Sequence, residues 1–505
     1  MLALLLSACL SPSSASFSFG SAASQDPLPP CSPVVLCNGD ACADVCEDGS
    51  VVVDPWLSAA LDFQRNLTRA RPFSFGPHLG THNALISRAN GMGLEEDLFS
   101  LLLAQTSANI SASHVRVPNQ RLGLTDLLNL GVRHVEFDIW DVPSPRTGGA
   151  FEIRICHSPV PDPLGFAAAE AALQRLGLPA LQWDPFLSLC SNYTLEWAML
   201  KAKAWLQAHP TEVLGCFLDN RVAPWNADLV TQTLRSVWGP ALMTPSDLRA
   251  LFNGTRGSAA SFPSRDAMLA AGKRIYCESN SYLVTNFTPT SLPEVAFYPT
   301  TWEDAWFSGG QPGPQDVAPF PNCTIGGDSS FYGRTWPRLL DSGDLAYSPQ
   351  EEAESGIVLK PNGVADLAAC AVNTVGLGDV SPAAARAFVW SWLEGEPSSS
   401  SSSGCRGAAM TTVRGRWSAQ PCEALMPALC RRGDARVPAG QSPGLWNVTA
   451  QAVGFEGAEA ACAGLGQGWG AGLPRDGMEN ARAAQRALMG GLWQQHKGLW
   501  LAHRV

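Results

Sequence analysis

The sequence predicts an α/β protein built on a TIM-type (β/α) barrel, with a short Cys-rich N-terminal extension and a C-terminal accessory region containing Cys and Trp. Three observations predict it. Between about residues 55 and 390, apolar strand-like runs alternate with helical stretches, the pattern of a parallel sheet with crossover helices. That span accommodates roughly eight such units, as a barrel with insertions requires. Several of the runs end in His, Asp or Glu, at the strand ends where barrels keep their chemistry.

The elements follow in order. Residues 1–24 begin MLALLLSAC, an apolar run followed by small residues, and read as a secretory signal peptide; Leu6-Ser7-Ala8-Cys9 also fits a lipoprotein cleavage box. Residues 25–54 form an extension with Cys31, Cys37, Cys42 and Cys46, whose spacing matches no common zinc ribbon and suits disulfides. The barrel is expected over 55–396. In its first clear unit Thr125 and Asp126 can cap the short helix DLLNL, Gly131 ends it, and VRHVEFDIW follows as a strand. In the second, Thr194 opens the helix LEWAMLKAKAWLQA, Pro210 stops it, and EVLGCFLD is the strand. RIYCES (274–279), VAFYP (295–299), IVLK (357–360) and VNTVGLG (372–378) are later strands. The serine run Ser398 to Ser403 marks a low-complexity linker, and 397–505 is the accessory region.

Composition narrows the function classes. A hydrophobic fraction of 46% with 16% charged residues describes a globular chain with a large core. A net charge of −11 with scattered Lys and Arg lacks the basic stripe of a nucleic-acid binder, so no nucleic-acid partner is expected. Seven Asn-x-Ser/Thr sequons, at Asn66, Asn109, Asn192, Asn253, Asn286, Asn322 and Asn447, and fourteen cysteines beyond Cys9 suit an oxidising compartment. The chain is therefore expected to be secreted, extracellular or in the lumen of the secretory pathway, soluble or peripheral at a membrane surface.

Alternate residues of a strand share a face, so His134, Glu136 and Asp138 point one way and Val135, Phe137 and Ile139 the other. Two carboxylates so placed repel unless a cation offsets them, and hard oxygen ligands suit Ca2+ or Mg2+; a solvated strand end is the bland alternative. Three further segments weaken that alternative: GTHNA (80–84) presents His82 and Asn83, RICHSP (154–159) ends its run in His157, and FLDN (217–220) ends in Asp219. His134, one layer below the carboxylates, reads as a core histidine. Lys273, ahead of RIYCES, and Arg154 are substrate-contact candidates, with a surface position the competing reading for Lys273.

GTHNA, GVRHVEFDIWD, the ending of RICH, and HPTEVLGCFLDN together resemble the X region of phosphatidylinositol-specific phospholipases C. The branch most similar is that of secreted phospholipase-C-like phosphodiesterases with a TIM-type barrel. The resemblance covers about residues 70–395, including the closing VNTVGLGDVSP and VWSWLEGEP segments. It implies His82 and His157 as the catalytic pair, with Asn83, Glu136, Asp138 and Asp219 around a divalent cation. Bacterial members without metal carry an arginine two residues after an aspartate; Glu136-Phe137-Asp138 departs from that and resembles the metal-dependent form. Imidazoles near pKa 6.5 can supply both the base for the attacking hydroxyl and the acid for the leaving alkoxide.

The expected activity is hydrolysis of phosphoric diester bonds in phosphatidylinositol, a GPI anchor or a related phospholipid at a membrane surface. Two alternatives stay open: a lipid phosphodiesterase of phospholipase-D-like outcome, and an inactive barrel serving as an extracellular binding module. The tail segments CRGAAM, GRWSAQPC and ALC resemble a broken C-type-lectin pattern, which implies a glycan or protein partner for 397–505.

Overall fold

The computed structural model describes residues 28–38, 41–73, 77–92, 120–144, 150–156, 190–252, 262–279, 291–297, 318–324, 338–340, 361–372, 374–397, 404–433, 445–489 and 498–505. The signal segment, IVLK, the serine run and His157 lie outside them.

The extension is an antiparallel hairpin of β1 (Pro33–Asn38) and β2 (Ala41–Cys46), bridged by Cys37–Cys42 and Cys31–Cys46. Its cysteines are thus disulfides. Helix α1 (Pro55–Thr68) starts where Asp54 accepts from the Trp56 and Leu57 amides with Pro55 in the first turn, and it buries Leu57, Ala60 and Leu61.

There follow β3 (His78–Thr81), α2 (Leu124–Asn129), β4 (Val132–Pro143), β5 (Phe151–Cys156), β6 (Cys190–Thr194), α3 (Leu195–Ala208), β7 (Leu214–Asn220), α4 (Ala227–Trp238), β8 (Leu242–Met243), α5 (Pro245–Phe252), α6 (Arg265–Ala270) and β9 (Ile275–Ser279). Beyond these lie β10 (Arg338–Leu340), α7 (Pro361–Ala369), β11 (Thr374–Leu377) and α8 (Pro382–Phe388). The strands form one sheet in the order β10-β11-β3-β4-β7-β9-β8, every neighbouring pair parallel. Among the described residues no pairing joins β8 to β10. The architecture is mixed α/β around this sheet.

Strand alternation divides the sheet into two faces. Val135, Phe137, Ile139, Leu214, Cys216, Leu218, Ile275 and Cys277 pack in one cluster with Leu195, Ala198 and Ala202 of α3 and Val230 and Leu234 of α4. Each buried Val, Leu, Ile or Phe among them contributes about 1.5–3 kcal/mol, so this layer fixes the register of the strands. Gly131, at φ +104°, turns the chain from α2 into β4, and a Cβ there would meet Leu61 Cδ1 at 2.6 Å.

Three local expectations change. Helix α2 begins at Leu124 with Gly123 as N-cap and no side-chain cap. Thr125 and Asp126 sit inside its first turn, where Thr125 bonds Asp48 at 3.1 Å and buried Asp126 accepts the Val51 amide at 2.9 Å. Long-range partners outcompete the local cap. The run ending in Cys156 is a strand, but it lies antiparallel on β4, with Ile155 opposite Ile139. Of VAFYP, the described residues 295–297 make one parallel bridge, Phe297 to Glu278, directly after the 3-10 turn Leu292–Glu294, and 298–299 lie outside the described residues.

The C-terminal region contains β12 (Arg406–Met410), β13 (Trp417–Pro421), β14 (Leu429–Arg432), β15 (Trp446–Val448), α9 (Ala458–Ala463), β16 (Trp469–Ala471), α10 (Gly477–Met489) and β17 (Leu499–Arg504). It forms two three-stranded sheets, β13-β12-β17 and β15-β14-β16, with disulfides Cys405–Cys422 and Cys430–Cys462. Arg71 pairs with Asp476 at 2.9 Å, and Arg414 with Asp366 at 2.7 Å, tying the region to the rest. No described helix is long and apolar enough to cross a membrane.

Candidate active site

The face of the sheet away from α3 and α4 carries the polar residues. On β4 these are His134, Glu136 and Asp138. Register sets Asp138 beside Asp219 of β7, and sets Glu136 beside Phe217, whose other neighbour is Glu278 of β9. Four carboxylates therefore share one face toward the C-terminal ends of three adjacent strands. Glu136 is 3% exposed, Asp138 8% and Glu278 0%, while Asp219 is half-buried with Oδ2 3.2 Å from Arg221. One layer below, His134, Gly215 and Tyr276 stand side by side. A Cβ at Gly215 would meet Tyr276 Oη at 2.5 Å and His134 Cδ2 at 2.6 Å, so only glycine leaves room for both rings. His134 is a buried residue of the interior, as its strand position suggested.

His82 and Asn83 lie where β3 runs out. The His82 amide donates to the Leu377 carbonyl at 2.9 Å, and the Ala84 amide to the Glu136 carbonyl at 2.8 Å. The turn is thus bonded to β11 on one side and β4 on the other. Asn83 is buried with φ +49°, a left-handed conformation that costs most residues energy and that asparagine tolerates better.

Gln120, fully buried, clamps this turn. Its Nε2 donates to the His82 and Leu377 carbonyls, each at 2.7 Å, and its Oε1 accepts the Val380 amide at 3.0 Å. Arg121 pairs with Asp379 at 2.9 Å beside it. Gln120→Leu removes these partners together and is expected to destabilise the chain by at least about 2 kcal/mol, read by urea unfolding.

The other candidates are distributed as follows. Arg154 sits on β5 opposite Trp140, so it shares the Asp138 face one step farther out, and it pairs with Glu152. Lys273 precedes β9, at the other end of that strand from Glu278; it is only 8% exposed, and its Nζ donates to Asp247 at 2.8 Å and the Leu242 carbonyl at 3.1 Å. Cys156, the residue before His157, is disulfide-bonded. Sequence reasoning missed Glu278 and Gln120. Glu278 had a usable signal, its i+2 spacing from Tyr276 at a strand end; Gln120 had none.

Adjacent strands are about 4.8 Å apart and i, i+2 positions about 7 Å, spacings that side-chain rotation can bring to one cation with ligand distances near 2.4 Å. Among the described residues, no three of these carboxylates have oxygens mutually within 4.8 Å; the one such three-donor group is Cys405, Cys422 and Glu456, whose sulfurs are joined in a disulfide.

No family model matches the chain. Two uncharacterized proteins of Mycobacterium tuberculosis strains are each 26% identical over 452 residues, covering 87% of this chain and 79% of theirs. Among solved structures, the phosphatidylinositol-specific phospholipase C from Listeria monocytogenes has a TM-score of 0.36 at 13% identity, covering 66% of this chain and 96% of its own. A calcium-dependent phosphoinositol-specific phospholipase C from a Gram-negative Pseudomonas species has a TM-score of 0.27 at 16% identity, covering 62% and 92%. Both scores lie below 0.5, so the functional reading rests on the site itself.

Proposed function

We propose that this chain is a secreted phosphoric diester hydrolase of the phospholipase-C-like class, acting on phosphatidylinositol, a GPI anchor or a related phospholipid at a membrane surface. The observation that carries the reading is the shared face of Glu136, Asp138, Asp219 and Glu278, with the turn of half-buried His82 and buried Asn83 bonded to the same strand. In this reading the sheet is the greater part of a (β/α) barrel and the acidic face lies at its mouth. The disulfides fit the oxidising compartment that secretion implies. The C-terminal sheets form the accessory region, a glycan being the partner that the lectin-like pattern implies.

The donor set fits a hard divalent cation. Burial penalises several like charges on one face unless a positive charge offsets them, and carboxylate and amide oxygens suit Ca2+ or Mg2+. Glu136, Asp138, Asp219 and the Asn83 amide would hold it, and when bound it would offset charge developing on the phosphate. His82 accepts the proton of the attacking hydroxyl, and His157 returns one to the departing alkoxide. Where the headgroup has a hydroxyl vicinal to the phosphate, a cyclic phosphate forms first. Incubation of the purified protein with a panel of phospholipids tests the reading: phosphorylated headgroup from at least one of them supports it, and no turnover of any sinks it.

A further inference from the structure

A second charged region lies at the opposite ends of the strands. His78 opens β3, Arg133 is the second residue of β4, Glu212 precedes β7 and Arg265 opens α6. With Arg65 and Arg71 they line a cavity of about 40 Å³, room for about three water molecules or one compact oxyanion.

Four guanidinium groups face one carboxylate there. Glu212 is shared between Arg133 at 2.9 Å and Arg65 at 3.1 Å, and Arg65 also pairs with the exposed Asp62. Arg71 reaches Asp476 at 2.9 Å and Glu479 at 3.7 Å. Arg265 differs from these: its Nε is shielded from solvent and meets no acceptor among the described residues. Desolvation by burial lowers the pKa values of Arg133 and Arg265, the mark of cations that burial penalises. Burial likewise lowers His78 to about 4, so its ring is neutral near pH 7; it bonds the Phe73 carbonyl through Nε2 at 2.7 Å and stacks on the Phe73 ring.

We infer that this cavity binds a compact oxyanion of the phosphate or sulfate class, with Arg265 Nε donating to it and the surrounding guanidinium groups supplying counter-charge. Planar guanidinium forks match such oxyanions, and the cavity volume suits the ion or the end of a phosphomonoester. The site lies at the far ends of the strands from Glu136 and Asp138, so it is independent of the proposed hydrolysis. Bound there, the ion ties α1, β3, β4 and α6 together.

Thermal unfolding of the full chain, titrated with sodium phosphate against sodium chloride at constant ionic strength, tests this. Wild type is expected to gain about 2–4 °C by about 10 mM, the gain rising with the logarithm of phosphate concentration, and Arg265→Gln to need at least about tenfold more phosphate for the same gain while keeping its turnover. A parallel arm with glycerol phosphate distinguishes the sources: equal potency assigns the site to a phosphomonoester end, and no shift assigns it to the free ion. A rise that is linear in phosphate concentration and equal in both proteins is general exclusion of salt from the surface, and it overturns the inference. If Arg265→Gln does not fold, calorimetric titration of phosphate into wild type replaces it. One saturable site per chain supports the inference there, and absence of binding heat refutes it.

Discussion

His82→Ala and His157→Ala are each expected to lower kcat on a phosphodiester substrate by about 10²-fold or more, with the fold intact. In the proposed mechanism each imidazole moves a proton in the transition state, and water at the same place lacks its basicity and orientation, so the expected effect is large. His82 projects from a turn whose backbone is bonded to β4, β11 and Gln120, so truncating its side chain leaves those bonds in place. Steady-state kinetics with two leaving groups divides the roles. A good leaving group needs little acid, so it should rescue His157→Ala more than His82→Ala. Equal rescue of both would mean that the acid and base are assigned wrongly.

The second large effect is on metal. Chelation is expected to abolish turnover and to lower Tm modestly, as removal of a ligand that binds only the folded state does. Glu136 and Asp138 share a strand face and Asp219 stands beside Asp138, so their charges stay close in any rotamer. Position 138 is itself an acid, so it adds to the charge beside Glu136 instead of offsetting it. Glu136→Gln should therefore raise the metal concentration needed for half-maximal turnover without disturbing the disulfide-held extension. Full turnover in excess chelator, with no metal found by elemental analysis, contradicts this part of the account.

How much of this was legible in the sequence depends on the range of the forces involved. The strands VRHVEFDIW and EVLGCFLD and the helix opened by Thr194 are legible because period-2 and helical patterning, caps and breakers act within a few residues. The sharing of a face by Glu136 and Asp138 follows from the same alternation. The pairing of Asp138 with Asp219 needs the register between strands, which no local pattern encodes. Glu278 was passed over because one acid at the end of IYCES looks like a solvated terminus until Phe217 and Glu136 are set beside it. Gln120 was invisible for a stronger reason: its partners Leu377 and Val380 are more than 250 positions away. The antiparallel course of β5 was equally hidden, since an apolar run has the same alternation in either direction.

The most direct test of the central claim is ³¹P NMR of the products when wild-type protein is incubated with phosphatidylinositol vesicles and Ca2+, with His82→Ala as the control. The expected result is loss of the lipid phosphodiester signal and growth of a water-soluble inositol phosphate, cyclic at first, with diacylglycerol left in the membrane and conversion at least about 10²-fold slower in the control. Phosphatidic acid as the phosphorus-bearing product would assign a phospholipase-D-like outcome. Intact lipid in every sample, beside saturable binding of the protein to the vesicles, would make the chain a binding module and contradict the claim.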